Sequence, residues 1–274
     1  MATIDNKGTA LITGASSGIG AIYADRLAQR GYDLILVARN RQRLDDMARK
    51  LTDKTGCAIE VVNADLNKQT DVARVESLLR KDASITMLVN NAGVGASAPL
   101  LDSNIEEMAG LITLNVGALT RLVYAAVPGF VARGKGTIIN IASIVAIAPE
   151  LLNGVYGASK AFVLALSRSL QHELAGKGVR VQAVLPGVIA TEFWDIAGMP
   201  RDVAGIPIKQ LPPEIVMTTD NLVDAALAGL DLGETVTIPS LPDVADWDAY
   251  EAARGTLLPS LSRDLPAKRY SIRN

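Results

Sequence analysis

Short β-type runs alternate with longer helical patterns along the whole chain, and this alternation restricts the possible folds more than any other property of the 274-residue sequence. The β-type runs are rich in Val, Ile and Leu and are bounded by Gly, Asn or Asp, as strands are. They cover Thr9–Thr13, Asp33–Arg39, Ala58–Ala64, Thr86–Asn90, Thr137–Ala142, Val179–Leu185 and Thr235–Pro239. The helical patterns cover Ile19–Arg30, Gln42–Lys54, Thr70–Lys81, Ile105–Arg133, Tyr156–Gly176 and Asp220–Leu230. Such alternation predicts an α/β fold in which helices cover both faces of a parallel sheet.

The predicted sheet is doubly wound and has about seven strands. We expect a single domain over residues 1–274, because no linker-like change in composition and no run of like charge divides the sequence. Residues 188–219 form a long irregular connection and are predicted to act as a substrate lid, since loops of this length are usually functional. Residues 240–274 are interpreted as a C-terminal extension.

A glycine-rich segment, Thr13–Gly20, directly follows the first predicted strand and precedes the first predicted helix. Glycine lets the backbone turn tightly and approach a pyrophosphate without a Cβ in the way. The helix N-terminus that follows offers free N–H groups and the positive end of the helix dipole. Between a strand and a helix, this pattern favours nucleotide binding over an ordinary turn. The residues expected to bind the cofactor here are Gly14, Ser16, Ser17, Gly18, Ile19 and Gly20.

The glycine spacing G-x-x-x-G-x-G resembles that of the short-chain dehydrogenase/reductase family, in its shorter-chain branch, and further motifs follow in the family's order as far as Thr191. The resemblance implies a Rossmann-type NAD(P)-binding fold. It places Asp65 at the adenine ring and the motif Asn90–Gly93 on the adenosine side of the cofactor site. It places the segment that begins at Pro186 at the nicotinamide carboxamide. The further cofactor-binding residues that it implies are Asp65, Leu66, Asn91, Ala92, Gly93, Pro186, Gly187, Val188 and Thr191, together with Tyr156 and Lys160.

The end of the second predicted strand bears on the choice between NAD and NADP. An acid at this place accepts hydrogen bonds from the ribose hydroxyls and repels a 2′-phosphate. This chain has Ala38 where the resemblance places an Asp in NAD-preferring members, and Arg39 follows it. A guanidinium forms two-pronged, charge-assisted contacts with phosphate. We therefore predict a preference for NADP(H), with NAD(H) as the alternative; the other interpretation of Arg39 is a solvated cation.

Tyr156 and Lys160 stand four residues apart at the start of a predicted helix, so both side chains face one cleft. An unperturbed tyrosine has a pKa of about 10, and a nearby cation lowers it toward the range of acid–base chemistry. The resemblance implies that Tyr156 exchanges a proton with the substrate oxygen, while Lys160 holds the nicotinamide ribose and lowers the pKa of the phenol. It also implies that Ser143 orients the substrate oxygen. Asn115 is expected to bend its helix and to hold a water beside Lys160.

Together these residues predict an oxidoreductase that transfers hydride between NADP(H) and a carbonyl or secondary alcohol. The expected substrate-binding residues are Ser143, Val145, Leu152, Asn153, Tyr156, Phe193 and Trp194. They are mostly apolar, which favours a hydrophobic or moderately polar ketone, aldehyde or alcohol; the alternative is that several of them only pack the lid onto the domain. Two other functions stay open: a redox sensor that binds NADP without turnover, and a reductase specific for 3-oxoacyl thioesters.

The charge balance excludes some classes of partner. With 27 basic and 29 acidic residues the net charge is −2, so neither nucleic acid nor an anionic membrane is expected. One cysteine, Cys57, and one histidine, His172, cannot assemble a metal site, and the lone cysteine suits a reducing, cytoplasmic location. Proline and glycine are expected to interrupt the later apolar runs before the ~20 residues of a membrane helix. The apolar circumference of the helix from Tyr156 predicts a homo-oligomer, a tetramer or a dimer.

Overall fold

The computed structural model of the protein describes residues 7–190, 202–203, 206–207 and 211–270. Two compact units divide the chain, Met1–Pro239 and Ser240–Asn274. The second unit begins at the residue where the sequence analysis placed the C-terminal extension. The single domain over the whole chain stays a prediction.

A seven-stranded parallel sheet forms the centre of the first unit, as the alternation predicted. The strands are β1 (Thr9–Thr13), β2 (Asp33–Ala38), β3 (Ile59–Asn63), β4 (Ile85–Asn90), β5 (Gly136–Ile141), β6 (Val179–Val184), β7 (Val188–Ala190), β8 (Asp202–Val203), β9 (Ile206–Pro207), β10 (Val216–Thr218) and β11 (Val236–Thr237). The main sheet has the order β11-β6-β5-β4-β1-β2-β3. The direction of winding reverses between β1 and β4, and ligands bind at such a point, beyond the carboxyl ends of the strands.

The six predicted helical segments begin and end within three residues of their predicted bounds, but the segment from Ile105 is divided in two, and the structure adds one helix, Val244–Leu257, for which no bounds were predicted. The helices are α1 (Gly18–Gln29), α2 (Arg41–Thr55), α3 (Gln69–Lys81), α4 (Ile105–Ile112), α5 (Leu119–Ala132), α6 (Gly154–Glu173), α7 (Thr219–Leu232) and α8 (Val244–Leu257). Some of the differences between the predicted and the observed helix ends are due to capping side chains. The side chain of Asn40 accepts the N–H of Arg43 at 3.0 Å and so begins α2 one residue earlier than predicted.

Both faces of the sheet are buried, which explains the apolar strands. Ala10 and Ile12 of β1 pack in one core cluster with buried residues of α1, α2 and α7. The residue between them, Leu11, is also fully buried and points to the opposite face. On that face α5 and α6 contact β5 and β6, and α3 packs against α5. A strand that is buried on both faces has a continuous run of apolar residues in its sequence.

The sequence analysis predicted an irregular connection over residues 188–219, and this was wrong in part. Within it, β7 pairs with β10 in parallel register, from Val188 with Val216 to Ala190 with Thr218. A second pair, β8 and β9, is antiparallel. These strands are two or three residues long. Runs this short carry no usable periodicity, which is why the sequence did not reveal them.

The long helix predicted before β5 continues through Gly110, Gly117 and Pro128, but a π-helical segment, Thr113–Ala118, separates α4 from α5. By length and composition alone, Ile105–Ala132 could cross a membrane, with a mean hydropathy of 1.5 and 44% of its apolar window buried. The expectation that proline and glycine interrupt every apolar run was therefore wrong for this helix. Its buried side packs on α3, α6 and the sheet, as core helices do.

The second unit contains α8, which begins where the side chain of Asp243 accepts the N–H of Ala245 at 2.9 Å. Within α8 the rings of Trp247 and Tyr250 stack with their centroids 5.2 Å apart.

Candidate active site

The glycine-rich turn between β1 and α1 is held by the segment that follows β4. Asn91 Nδ2 donates to the carbonyl oxygens of Thr13, at 2.9 Å, and Gly14, at 3.2 Å. The Thr13 hydroxyl accepts the backbone N–H groups of Asn91 and Ala92, both at 3.0 Å. Gly14 has a φ of +66°, and a Cβ there would lie 2.9 Å from the Cα of Ala92. Glycine is thus required in this turn, and the open space beside the start of α1 suits a pyrophosphate.

A cavity of about 690 Å³ lies along the carboxyl ends of the strands. Its wall includes the glycine turn at one place and the first turns of α6 at another. The predicted cofactor-binding residues in its wall are Gly14, Ser16, Ser17, Gly18, Ile19, Arg39, Asp65, Leu66, Asn91, Ala92, Gly93, Tyr156, Lys160, Pro186 and Gly187. The fold therefore brings together residues that lie between Gly14 and Gly187 in the sequence, from the end of β1 to just after β6.

Three predicted cofactor residues are not in this wall. An added Cβ on Gly20 would overlap the carbonyl oxygen of Gly14 and lie 2.5 Å from Asn91 Nδ2, so Gly20 allows α1 to pack closely on the turn. Val188 lies in β7, where it pairs with Val216. Thr191 lies outside the described residues.

Arginines line the end of the cavity that follows β2. Asn63 Nδ2 donates to the carbonyl oxygen of Arg39 at 2.7 Å and so fixes the backbone where β2 ends. Arg41 and Arg43, at the start of α2, line the same end. Arg41 Nε contacts both carboxylate oxygens of Asp45, at 2.9 and 2.8 Å. This positively charged end suits a phosphate group.

At the other end of the cavity, Tyr156, Lys160 and Ser143 are all buried, with 8, 7 and 7% of their surface exposed. Lys160 Nζ lies 5.9 Å from the centroid of the Tyr156 ring and donates to the carbonyl oxygen of Ile141 at 2.9 Å. The Ser143 hydroxyl donates to the carbonyl oxygen of Pro186 at 3.3 Å. A phenol, an ammonium and a hydroxyl thus share one site that is largely excluded from water.

The structure reverses the predicted direction of the tyrosine shift. Burial raises the pKa of Tyr156 to about 12, and a hydrogen bond with Ser143 offsets part of that rise. Burial also lowers the pKa of Lys160 to about 8. The expectation that Lys160 brings the pKa of the phenol below its ordinary value was wrong for this structure, because burial is the largest influence on the phenol and the hydrogen bond with Ser143 offsets only part of it.

Asn115 lies in the π-helical segment and is 2% exposed. Its Oδ1 accepts the N–H of Val94 at 2.9 Å, and its Nδ2 donates to the Val94 carbonyl at 2.8 Å and to Ser159 Oγ at 3.1 Å. A Cβ on Gly93 would lie 3.0 Å from Asn115 Oδ1 and 3.6 Å from Lys160 Nζ. The break in the α-helical ladder occurs where the family resemblance implied a bent helix, and π segments often mark functional sites. A water held by Asn115 stays a prediction.

Of the predicted substrate-binding residues, Ser143 and Tyr156 line the cavity. Val145 and Leu152 instead pack with the Tyr156 ring in a small apolar cluster. The side chain of Asn153 is directed to backbone groups, accepting the N–H of Val155 at 2.8 Å and donating to the Ala98 carbonyl at 2.6 Å. Phe193 and Trp194 lie outside the described residues.

Several cavity-lining residues were not among the predicted site residues: Val37, Ala38, Asn40, Arg41, Arg43, Ala64, Asn67, Val94, Leu114, Ile141, Ala142 and Ile189. Most of them lie at or just after the carboxyl end of a strand. The rule that ligands bind beyond these ends would have found them if it had been applied to every strand. Leu114 lies in the π-helical segment and had no such signal.

Among the residues that the structure describes, no group of three or more His, Cys, Asp or Glu side chains could hold a metal ion. Cys57 is a partly exposed free thiol that accepts a hydrogen bond from Thr55 Oγ1 at 3.1 Å.

Known proteins resemble this chain over the elements that build the cavity. A family model for short chain dehydrogenases matches residues 8–198. A short-chain dehydrogenase from Sphingobium yanoikuyae, solved in complex with NADPH, is 50% identical with a TM-score of 0.89, and the match covers 96% of this chain and 100% of that one. The bulky-bulky ketone specific alcohol dehydrogenase from Comamonas testosteroni is 45% identical with a TM-score of 0.87, over 97% and 99% of the two chains. The very-long-chain 3-oxoacyl-CoA reductase of Anas platyrhynchos is 38% identical over 69% of this chain and 62% of that protein.

Proposed function

Because the chain belongs to the short-chain dehydrogenase family, it is an NAD(P)-dependent oxidoreductase acting on CH–OH or C=O groups, and we propose that it reduces ketones with NADPH, using Tyr156 as the general acid. One observation carries the proposal: the buried Tyr156, Ser143 and Lys160 line the same cavity as the glycine turn. A proton donor and a nucleotide-binding turn in one cavity are what hydride transfer to a carbonyl requires.

The residues in the cavity wall fit a dinucleotide along its length. The turn at Gly14, with no room for a Cβ, and the N-terminus of α1 would hold the pyrophosphate. Arg39 and Arg43 would pair with a 2′-phosphate, and Lys160 would hold the nicotinamide ribose. The preference for NADP(H) is supported by these arginines and by the NADPH bound to the Sphingobium yanoikuyae enzyme. When bound, the cofactor supplies or accepts the hydride.

The chain's own residues handle the proton and the oxygen. The Tyr156 O–H donates its proton to the carbonyl oxygen as the carbonyl carbon is reduced, and the Ser143 hydroxyl orients that oxygen. Lys160 stabilises the phenolate that remains. Since burial raises the pKa of Tyr156 to about 12, the phenol keeps its proton at neutral pH and is ready to act as a donor. The same groups run in reverse for an alcohol.

The cavity wall includes several apolar side chains besides the polar groups of the site, which supports a hydrophobic substrate. Val94, Leu114, Ile141 and Ile189 line it. We include in the proposal that the substrate is a ketone with large apolar groups, which the ketone specificity of the Comamonas testosteroni enzyme supports. A 3-oxoacyl thioester is the second candidate, favoured by the similarity to the Anas platyrhynchos reductase. The described residues offer nothing in favour of a redox sensor without turnover.

A homo-oligomer, dimer or tetramer, is part of the proposal. Large apolar side chains are exposed on and just before α4 and on α5, with Leu101 92%, Ile105 74% and Tyr124 70% exposed. Large exposed apolar side chains are common at protein interfaces, and a second copy of the chain would bury them. Light scattering tests this, and a monomer at every concentration would contradict it. A cytoplasmic location stays a prediction.

The test of the proposed function is an assay of NADPH and NADH consumption with matched sets of substrates. We expect turnover with aryl and alkyl ketones that carry two large groups, and slower turnover with small polar ketones. A series of 3-oxoacyl thioesters in the same assay tests the second candidate. Binding of NADPH without turnover of any ketone, aldehyde or thioester would contradict the proposal.

A further inference from the structure

Asn153 is a buried residue, 5% exposed, three positions before Tyr156, and it is the N-cap of α6. Its Oδ1 accepts the N–H groups of Val155, at 2.8 Å, and Tyr156, at 3.4 Å. Its Nδ2 donates to the carbonyl oxygen of Ala98 at 2.6 Å. The two polar atoms of its amide therefore bind different elements. The oxygen caps the helix that carries the Tyr156 phenol, and the nitrogen holds the segment that follows Gly93.

In the segment 94–98, Val94 lines the cavity, and Val94 and Ala96 pack in the apolar cluster that contains Tyr156, so we call this segment the 94–98 wall. Asn115 holds both backbone groups of Val94. The backbone N–H of Asn153 donates to the Ala96 carbonyl at 3.3 Å, and its side chain holds Ala98. Two asparagines thus hold this wall from opposite ends.

Both asparagines also reach the first turns of α6. Asn115 Nδ2 donates to Ser159 Oγ at 3.1 Å, and that hydroxyl donates to the Tyr156 carbonyl at 2.8 Å. Asn153 contacts the N–H of Tyr156 directly. The backbone of Tyr156 is therefore held on its N–H side by one asparagine and on its carbonyl side through the other.

We propose that Asn153 is a positioning residue, which sets the place of the Tyr156 phenol relative to the 94–98 wall by joining a helix cap to a donor on the Ala98 carbonyl. This rests on the proposed function. Asp, Ser and Thr cap helices about as well as Asn, but none of them offers an amide donor on the same side chain. The amide is thus required for the contact with Ala98 and not for the cap.

This separation allows a sharp test with Asn153→Asp, assayed by ketone reduction from pH 5.5 to pH 8. An ionised carboxylate still caps α6, but it faces the Ala98 carbonyl with an acceptor in place of a donor. The protonated carboxyl donates to that carbonyl as the amide does. We expect kcat relative to the wild type to fall as the pH rises through the pKa of the new carboxyl, by up to about tenfold per unit, and to level off where the carboxyl is ionised.

A capping role alone predicts the opposite, because a helix N-terminus favours the charged form. The matched control is Asn104→Asp: Asn104 caps α4 through the N–H of Glu106 at 2.8 Å and is exposed. We expect its kcat to follow the wild type at every pH. A wild-type pH profile for Asn153→Asp would overturn the proposal.

Asn153→Ser keeps a capping oxygen and loses the amide nitrogen that donates to the Ala98 carbonyl, so it serves if the aspartate variant does not fold. We expect kcat to fall roughly 10–100-fold, the usual cost of a misplaced catalytic group, while the Kd for NADPH, measured by fluorescence titration, stays within about twofold. Wild-type kcat in a folded Asn153→Ser variant would overturn the proposal.

Hydrogen exchange separates this proposal from the proposed function. Amides of residues 94–98 should exchange faster in Asn153→Ser than in the wild type, whether or not any ketone is turned over. If the wild type binds NADPH and reduces nothing, the proposed function fails while the exchange result still decides the role of Asn153. Unchanged exchange over 94–98 would contradict it.

Discussion

The ammonium nitrogen of Lys160 lies 5.9 Å from the centre of the Tyr156 ring, and its hydrogen bond goes to the carbonyl oxygen of Ile141 at the end of β5. Both side chains are buried, one helical turn apart. Burial penalises the charged form of each, so the phenol keeps its proton up to a pKa of about 12 and the amine loses its proton at a pKa of about 8. The pair is therefore a proton donor beside a cation near neutral pH.

We expect Tyr156→Phe to lower ketone reduction by roughly 10²–10⁴-fold, because general acid catalysis contributes about that much. The Kd for NADPH should change by less than about threefold, since the ring remains. Steady-state rates and a fluorescence titration measure the two quantities. The control is Tyr124→Phe, on the exposed part of α5, which should keep full activity. Substantial activity in Tyr156→Phe would exclude this proton donor.

Arg39→Ala should raise the KM for NADPH by about 10–100-fold and leave the KM for NADH nearly unchanged. A hydrogen bond to a charged group is worth about 1.5–3 kcal/mol, and the 2′-phosphate is absent from NADH. Arg49→Ala is the matched control, because Arg49 is an exposed arginine of α2 that pairs with Asp46 and lies outside the cavity wall. Equal effects of Arg39→Ala on both cofactors would contradict the assignment.

Gly20→Ala should destabilise the protein by about 1–3 kcal/mol and weaken NADPH binding, because the new Cβ meets Gly14 and Asn91 Nδ2. Gly110→Ala is the matched helical control. No atom lies within 4 Å of a Cβ there, so the gain in helix propensity should stabilise the protein by about 0.5–1 kcal/mol. Urea unfolding and NADPH titration of both variants check the two signs. A Gly20→Ala variant as stable as the wild type would show that Gly14 and Asn91 can move to accommodate the added Cβ without loss of stability.

The buried ammonium makes stability depend on pH. The pKa of Lys160 is about 8 in the folded chain and near its ordinary 10.5 when unfolded, so between these values the unfolded chain binds more protons. The free energy of unfolding should therefore rise with pH from about 8, by up to about 1.4 kcal/mol per unit. Tyr156, whose pKa is raised, acts in the opposite direction only above about pH 10.

We expect Lys160→Met to lose this slope, so that the stability of the wild type relative to the variant increases from pH 8 to pH 9.5. Cofactor-free protein and urea unfolding are used at each pH. Lys50→Met, which changes an exposed lysine of α2, should keep the wild-type slope. If the free energy of unfolding of the wild type and of Lys160→Met changed with pH in the same way, burial would not lower the pKa of Lys160.

Local sequence was sufficient for the seven strands of the main sheet, for the helical segments between them and for the positions of the motifs on them. β1 has its predicted bounds, and helix ends moved by at most three residues because caps such as Asn40 and Asn153 act outside the apolar pattern. The pairing of β7 with β10 was missed, since three-residue strands have no periodicity to detect. The residue pattern did not predict the π-helical segment, and only the family resemblance, which implied a bend at Asn115, pointed to it.

The order of β-type runs, helices and glycine-rich turn along the chain was enough to predict a doubly wound parallel sheet, and with it the common edge where Gly14, Ser143 and Tyr156 meet, because right-handed crossovers place all strand ends on one side. The tertiary structure alone decided which backbone groups the Asn153 amide holds, and in which direction the pKa values of Tyr156 and Lys160 shift. Hydrogen-bond partners and desolvation depend on atoms from distant parts of the chain. The local spacing of residues in the sequence therefore does not predict them.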